Sequence, residues 1–271
     1  MGRGSCHAGA RAVSGTFGPH DELPTDRGVI ITCVGKKRSG KTIMSTLWFQ
    51  SYDGDKIVID VAGDDGPAGP DVIDLTGTVN ELPRKWPEHL RPDDGTGAVR
   101  PMTLRYVPDP GSPTYGEDMD AVVGLAMSHG NCALMVHEMG VLAPSNRVRR
   151  HTARFLRFNR HRKVTGIFAA PRPVTMDPLV IGQSDLIYVF DLPVPADQQR
   201  VASTVGWNPQ EFSELVEDLG RHEYLRYDAN EDKPQTEDDP DLRLVHFPAL
   251  PEDVVKQVKR YAAGGAQIRS S

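Results

Sequence analysis

Gly35, Gly40, Lys41 and Thr42 are spaced as GxxxxGK[ST], with Lys36, Lys37, Arg38 and Ser39 filling the gap. This pattern does one kind of chemistry: it wraps phosphates. Backbone N–H groups line the glycine loop, and Lys41 brings a full positive charge to the phosphate oxygens. Thr42 places a hydroxyl where the Mg²⁺ that accompanies a nucleoside triphosphate would sit. Ile43 opens a helix whose positive dipole end faces the anion. The expected ligands are ATP and Mg²⁺, held over residues 35–43. A chance match to so short a pattern is the bland alternative, and the flanking residues must decide.

The second candidate lies where the apolar run 132–136 meets His137 and Glu138. Hydrolysis of a nucleotide needs a group to orient and deprotonate water, and a strand that delivers an acid supplies one. Glu138 is the candidate base and, with Thr42, a candidate metal-side residue. Lys41, through the full charge it brings to the phosphates, is the other candidate catalytic residue here. Where such strands commonly carry a metal-side Asp, this chain has His137, and a neutral imidazole is a poor ligand for Mg²⁺. The metal would then rest on Thr42, phosphates, water, and Asp60 or Glu138. An ordinary strand-end acid is the competing reading of Glu138.

Elements that could position these groups are legible. Residues 29–34 are mostly β-branched and read as a buried strand, and 43–50 read as a helix, so strand, glycine loop and helix follow in the required order. Further strands are expected at 56–61, 72–75, 102–107, 132–136, 164–170, 185–190, 223–227 and 242–247. Helices are expected at 118–128, 145–162, 176–181, 196–204, 209–219 and 252–262. On the 145–162 helix, Val148, Thr152, Phe155 and Asn159 fall on one stripe with Leu156 beside it, leaving most arginines on other faces. The Pro- and Gly-rich stretch 62–70 is an irregular loop, and 82–101, with four prolines, a surface connection or a broken helix. Strands alternating with helices imply an α/β fold with a mainly parallel central sheet flanked by helices. Residues 1–27 read as a disordered tail and 28–228 as a P-loop ATPase domain. Residues 229–271 read as an acidic loop plus a strand and helix packed on that domain.

Composition narrows the class. A chain of 271 residues with 38% apolar content can bury one large α/β core. No apolar run is long enough for a bilayer span, and the N-terminus lacks the apolar segment of a signal peptide. The three cysteines, Cys6, Cys33 and Cys132, lack metal-ligand spacing, which points to a reducing, cytoplasmic setting. A net charge of −6 argues against a general nucleic-acid coat, but the charge is unevenly placed. Residues 139–176 contain no Asp or Glu, while 147–163, from Arg147 to Lys163, hold seven arginines, one lysine and two histidines. One strongly positive face on an acidic body is the expectation. A solvated helix face is its bland counterpart. Histidines such as His89, His129 and His222 read as surface or core residues.

Several stretches together resemble the FtsK–HerA superfamily of DNA-translocating ATPases, in particular the viral genome-packaging branch and the proteins similar to zonula occludens toxin. The likeness spans roughly 27–227. It rests on GKKRSGKT, IVIDVAGDD, ALMVHEMG, the run NRHRKVTGIFAAPRP over 159–173, the MDP at 176–178, and SDLIYVF at 184–190. The chain keeps the family's Arg160-His161 and Arg172-Pro173 but has Pro171 where the family has a sensor Gln. The resemblance implies a RecA-like P-loop NTPase fold and a homo-oligomeric ring, pentamer or hexamer, with ATP between neighbours. It implies an arginine finger supplied across that interface, for which Arg160 and Arg162 are the candidates, with Arg172 behind them. It implies sequence-independent binding of double-stranded DNA through the basic face over 147–163. A membrane is not involved, and the setting would be the host cytoplasm or the virion if the chain is viral. The alternatives are a non-translocating toxin-like assembly ATPase, a small-molecule kinase, or a nucleotide-binding module whose hydrolysis has been lost at His137 and Pro171.

Overall fold

The computed structural model describes residues 23–24, 26–63, 66–67, 72–91, 100–231 and 243–262. The tail expected over 1–27 and the acidic loop expected over 228–241 lie largely outside them. In chain order the elements are β1 (Ile30–Val34), α1 (Lys41–Ser51), β2 (Asp55–Ile59), β3 (Val72–Leu75), β4 (Thr103–Tyr106), α2 (Tyr115–His129), β5 (Cys132–Val136), α3 (Met139–Leu142), α4 (Arg150–Arg162), β6 (Val164–Ala170), α5 (Pro178–Gly182), β7 (Leu186–Val189), α6 (Pro195–Val205), α7 (Pro209–Glu217), β8 (Tyr224–Asp228), β9 (Leu244–Phe247) and α8 (Glu252–Ala262). The strands form one sheet in the order β3-β4-β2-β5-β6-β1-β7-β8-β9. From β3 to β7 every pairing is parallel, and β8 and β9 add an antiparallel hairpin at one edge.

Side-chain alternation splits the core into two layers. On β1, Ile30 and Val34 face a cluster that includes Met119 and Val122 of α2, Phe155 of α4, Val201 of α6 and Phe212 of α7. Ile31 and Cys33 face the other cluster, where Met44, Trp48 and Phe49 of α1 pack. Central strands buried on both faces explain why 132–136 reads as a continuous apolar run and why 30–34 and 164–170 carry no charged residue. Cys33 and Cys132 are free and buried in these strands, where burial pushes both thiols up and keeps them unreactive.

The basic helix differs from its expected span of 145–162 in starting at Arg150. Residues 143–145 are drawn into extended pairing instead: Pro144 bridges Met176, the Ser145 N–H donates to Thr175 O, and the Asp177 N–H donates to Ala143 O. The helix brings no cap of its own. Asp120 of α2 supplies one, accepting the N–H groups of His151 and Thr152 at 3.0 and 2.8 Å and the Thr152 hydroxyl at 2.7 Å. Its inner stripe is as the periodicity implied: Thr152, Phe155, Leu156 and Asn159 are buried, and Val148, just outside the helix, is half-buried. Asp120 is itself buried, so Asp120→Ala strands those donors away from water. The expected cost is about 2 kcal/mol. Urea unfolding should show the loss as a lower midpoint at unchanged slope, and an unchanged midpoint would remove the capping role.

Buried aspartates tie other segments in the same way. Asp118 accepts the Val79 N–H and the hydroxyls of Ser112 and Thr114, and Asp185 accepts the Ile30 N–H where β1 begins. Among the described residues, no helix is long and apolar enough to cross a membrane.

Candidate nucleotide-binding site

The loop 35–40 joins the carboxyl end of β1 to the N-terminus of α1, at the centre of the sheet between β6 and β7. Its backbone takes turns that glycine permits. Gly35 and Gly40 have φ of 149° and 121°, and a Cβ at either would come within 2.7 and 2.9 Å of Phe190, which packs beneath the loop. Arg38 at the tip also lies in the left-handed region, at φ 63°. Gly40 is the N-cap of α1, which has no side-chain cap and no acid in its first turn, so its first N–H groups are left for an outside acceptor.

Lys36, Lys37 and Arg38 are exposed on the loop, while Thr42 and Ile43 are half-buried in the first helical turn. Lys41 is buried and turns back over the loop, its Nζ donating to Lys36 O at 2.8 Å. Ser39 is buried as well, and its hydroxyl has no hydrogen-bond partner among the described residues. A buried hydroxyl without a partner among the described residues, a buried ammonium and a helix N-terminus without a side-chain cap all belong to this one loop. The residues present therefore fit a polyphosphate.

Glu138 lies at the same end of the sheet. It follows β5 by two residues, and β6 alone separates β5 from β1, so it sits two strand spacings, on the order of 10 Å, across from the loop. Half-buried, it occupies the N-cap position of α3, a short helix that sequence periodicity does not announce. His137 is buried beside it and extends the strand through its N–H to Ile59 O. Asp60 acts on the backbone instead. Its carboxylate accepts the N–H groups of Gly63 and Gly66, both at 3.0 Å, and so pins the loop after β2. Among the described residues no cluster of three His, Cys, Asp or Glu side chains could hold a metal. A Mg²⁺ would take its oxygens from Thr42, Glu138, phosphates and water, in keeping with its habit of retaining water and binding through substrate phosphates.

The arginines sit elsewhere. Arg160 pairs with the buried Asp185, and Arg162 donates to the carbonyls of Met127 and Ser128, closing the end of α2. Both lie where α4 runs into the start of β6, and the register of β6 on β1 puts that point at the end of the sheet opposite the loop. A five-residue strand is about 15 Å long, so neither guanidinium reaches the phosphate loop of its own chain. Arg172, after β6, pairs with the buried Asp197 in the first turn of α6. Pro171 stands between them, ahead of that pair.

One contact at the loop has no signal in the sequence. His222, from the turn before β8, places its Nδ1 3.1 Å from Ser39 O, across 183 residues of chain. His129, by contrast, is a structural residue, stacked on Trp86 and bonded to Asp55.

A scan against protein-family models found no match, and neither did a search of the curated proteins. Solved structures do match. The chain is similar to the genome packaging NTPase of Sulfolobus turreted icosahedral virus 2 in complex with AMP, at 19% identity and a TM-score of 0.56, covering 83% of this chain and 98% of that one. The same protein in complex with AMPPCP gives 19% identity and a TM-score of 0.55, over 82% and 98%. The DNA-packaging ATPase of Sulfolobus turreted icosahedral virus gives 18% and 0.54, over 76% and 94%. Taken with the sheet order and the loop geometry, the likeness establishes a RecA-like P-loop NTPase fold for this chain, mainly parallel in its sheet as the sequence led us to expect.

Proposed function

We propose that the chain is an ATP-driven motor of the FtsK–HerA type that moves double-stranded DNA as a ring, in viral genome packaging or a related transfer. The observation that carries the reading is the pairing of a phosphate-shaped loop on β1 with an acid delivered by β5 to the same rim, with one strand between them. ATP would bind at 35–43, where Lys41 would meet its phosphates and the Thr42 hydroxyl would help hold the Mg²⁺ that neutralises phosphate charge. Glu138 takes the proton of the attacking water. The likeness to proteins whose structures carry AMP and AMPPCP, and which are described as packaging enzymes, supports this assignment.

The placement of Arg160 and Arg162 away from their own loop accords with a finger that serves the next subunit. In that role Arg160 would exchange the Asp185 carboxylate for the γ-phosphate of a neighbour's nucleotide. DNA would meet the outer face of α4, where Arg150, Arg154 and Arg157 recur at helical spacing. They are exposed and, among the described residues, form no ion pair. Contacts to phosphate carry no sequence information, so binding is expected to be sequence-independent and to weaken with salt. Replacing all three by Ala should flatten the plot of log affinity against log salt by up to about three units. Equal slopes for both proteins would take DNA off this face.

The test of the whole reading is ATP turnover by purified protein, with and without long double-stranded DNA, at low and moderate salt. Stimulation by DNA that fades with salt is the expected result. Turnover indifferent to DNA at every salt concentration would remove the motor and leave an ATPase of another kind.

A further inference from the structure

The phosphate loop is held at two points from the β7–β8 side of the sheet. At its first shoulder the Lys36 N–H donates to Asp191 O at 2.8 Å, and the Lys36 ammonium pairs with the Asp191 carboxylate. At its second shoulder the contact is His222 Nδ1 to Ser39 O. A carbonyl oxygen only accepts, so Nδ1 carries the proton and the imidazole is the donor. His222 itself sits at φ 66°, a left-handed conformation that costs an L-residue energy. The residue after it, Glu223, is also tied down, by His246 and by the Gly220 N–H. The turn is thus braced on one side and reaches the loop on the other.

Fixing Ser39 O has a consequence for the next N–H. The peptide unit is planar and trans, so its C=O and N–H point in opposite directions. With Ser39 O drawn toward His222, the Gly40 N–H is turned away from the histidine. Gly40 is the residue from which α1 starts, the point where a phosphate would accept backbone hydrogen bonds. We infer that His222 is a positioning residue of the phosphate loop, which orients the Ser39–Gly40 peptide so that Gly40 N–H is presented to the anion. The inference rests on the loop being a phosphate site. It assigns His222 no contact with the nucleoside.

That last point makes it testable. Affinity for ATP and for inorganic tripolyphosphate is measured by calorimetry on the wild-type chain, His222→Ala and His222→Asn. Asparagine tolerates the left-handed conformation and carries an amide N–H close to the place of Nδ1. Loss of one hydrogen bond to the loop should weaken both ligands to the same degree, by about tenfold in His222→Ala, and His222→Asn should restore most of the loss. Weakening confined to ATP would overturn the inference, because it would place His222 against the nucleoside. So would unchanged binding in His222→Ala, or an asparagine variant as weak as alanine. A wild-type chain that binds neither ligand removes the phosphate site itself, and the inference with it, a failure visible without any variant.

Discussion

Lys41→Ala should lower the affinity for ATP by about a hundredfold and leave the chain folded. The magnitude follows from what the ammonium does. A charge-assisted hydrogen bond to a polyphosphate is worth about 1.5–3 kcal/mol, and Coulomb attraction in a partly desolvated loop adds to it, so about two decades is the expected loss. The fold should survive because Lys41 is not a core anchor: its Nζ donates to Lys36 O, an acceptor on an exposed stretch of loop. The same bond implies that binding is a rearrangement. The ammonium has to trade a carbonyl for phosphate oxygens, so part of the gross interaction is spent on the exchange. Calorimetry with ATP, alongside a thermal melt of the empty variant, separates the two effects. Affinity within about threefold of wild type would mean that the loop does not hold the nucleotide as its geometry implies.

The features that can be read from the sequence are those fixed by local chemistry. The glycine positions, the strand before them and the helix after them are neighbours in the chain, and each has a compositional signature. So do β5 and β6, which are buried on both faces and hence predominantly apolar, β5 without interruption and β6 apart from Thr165 and Gly166. The hidden features depend on contacts between distant residues. Nothing near His222 marks it as a loop contact, since its partner Ser39 lies on a different element and its own spacing matches no motif. The start of α4 departs from its expected place for the same reason: its cap, Asp120, belongs to another helix, and the segment before it pairs with the chain after β6. Arg160 and Arg162 are legible as basic and exposed. That their partners are Asp185 and the last carbonyls of α2 follows only from the packed structure. Local pattern shows what an element is, and packing decides what its charged residues do.

Glu138→Gln should leave ATP binding nearly intact and reduce turnover by about a thousandfold. A positioned general base contributes roughly two to four decades, and the amide keeps the size and hydrogen-bonding reach of the carboxylate while losing its basicity. The role proposed for Glu138 is first that of a base, and the spacing has room for it. Glu138 stands about two strand spacings from the loop, on the order of 10 Å, which leaves room for a γ-phosphate and a water between them. It is half-buried, open enough to meet water yet held at the head of α3. If Glu138 were instead needed to hold Mg²⁺, the variant would lose nucleotide affinity together with turnover, and adding Mg²⁺ would recover part of both. The ratio of the two losses therefore distinguishes the roles, and single-turnover kinetics would separate the chemical step from product release. Two residues set the stakes. His137 puts an imidazole beside the base where an oxygen ligand would serve Mg²⁺ better, and Pro171 removes the side-chain amide that the FtsK–HerA resemblance leads one to expect at the end of β6. A wild-type chain that binds ATP tightly yet does not turn it over, with Glu138→Gln indistinguishable from it, would show that these two positions have ended the chemistry. The loop would then be a nucleotide-gated switch whose output is assembly.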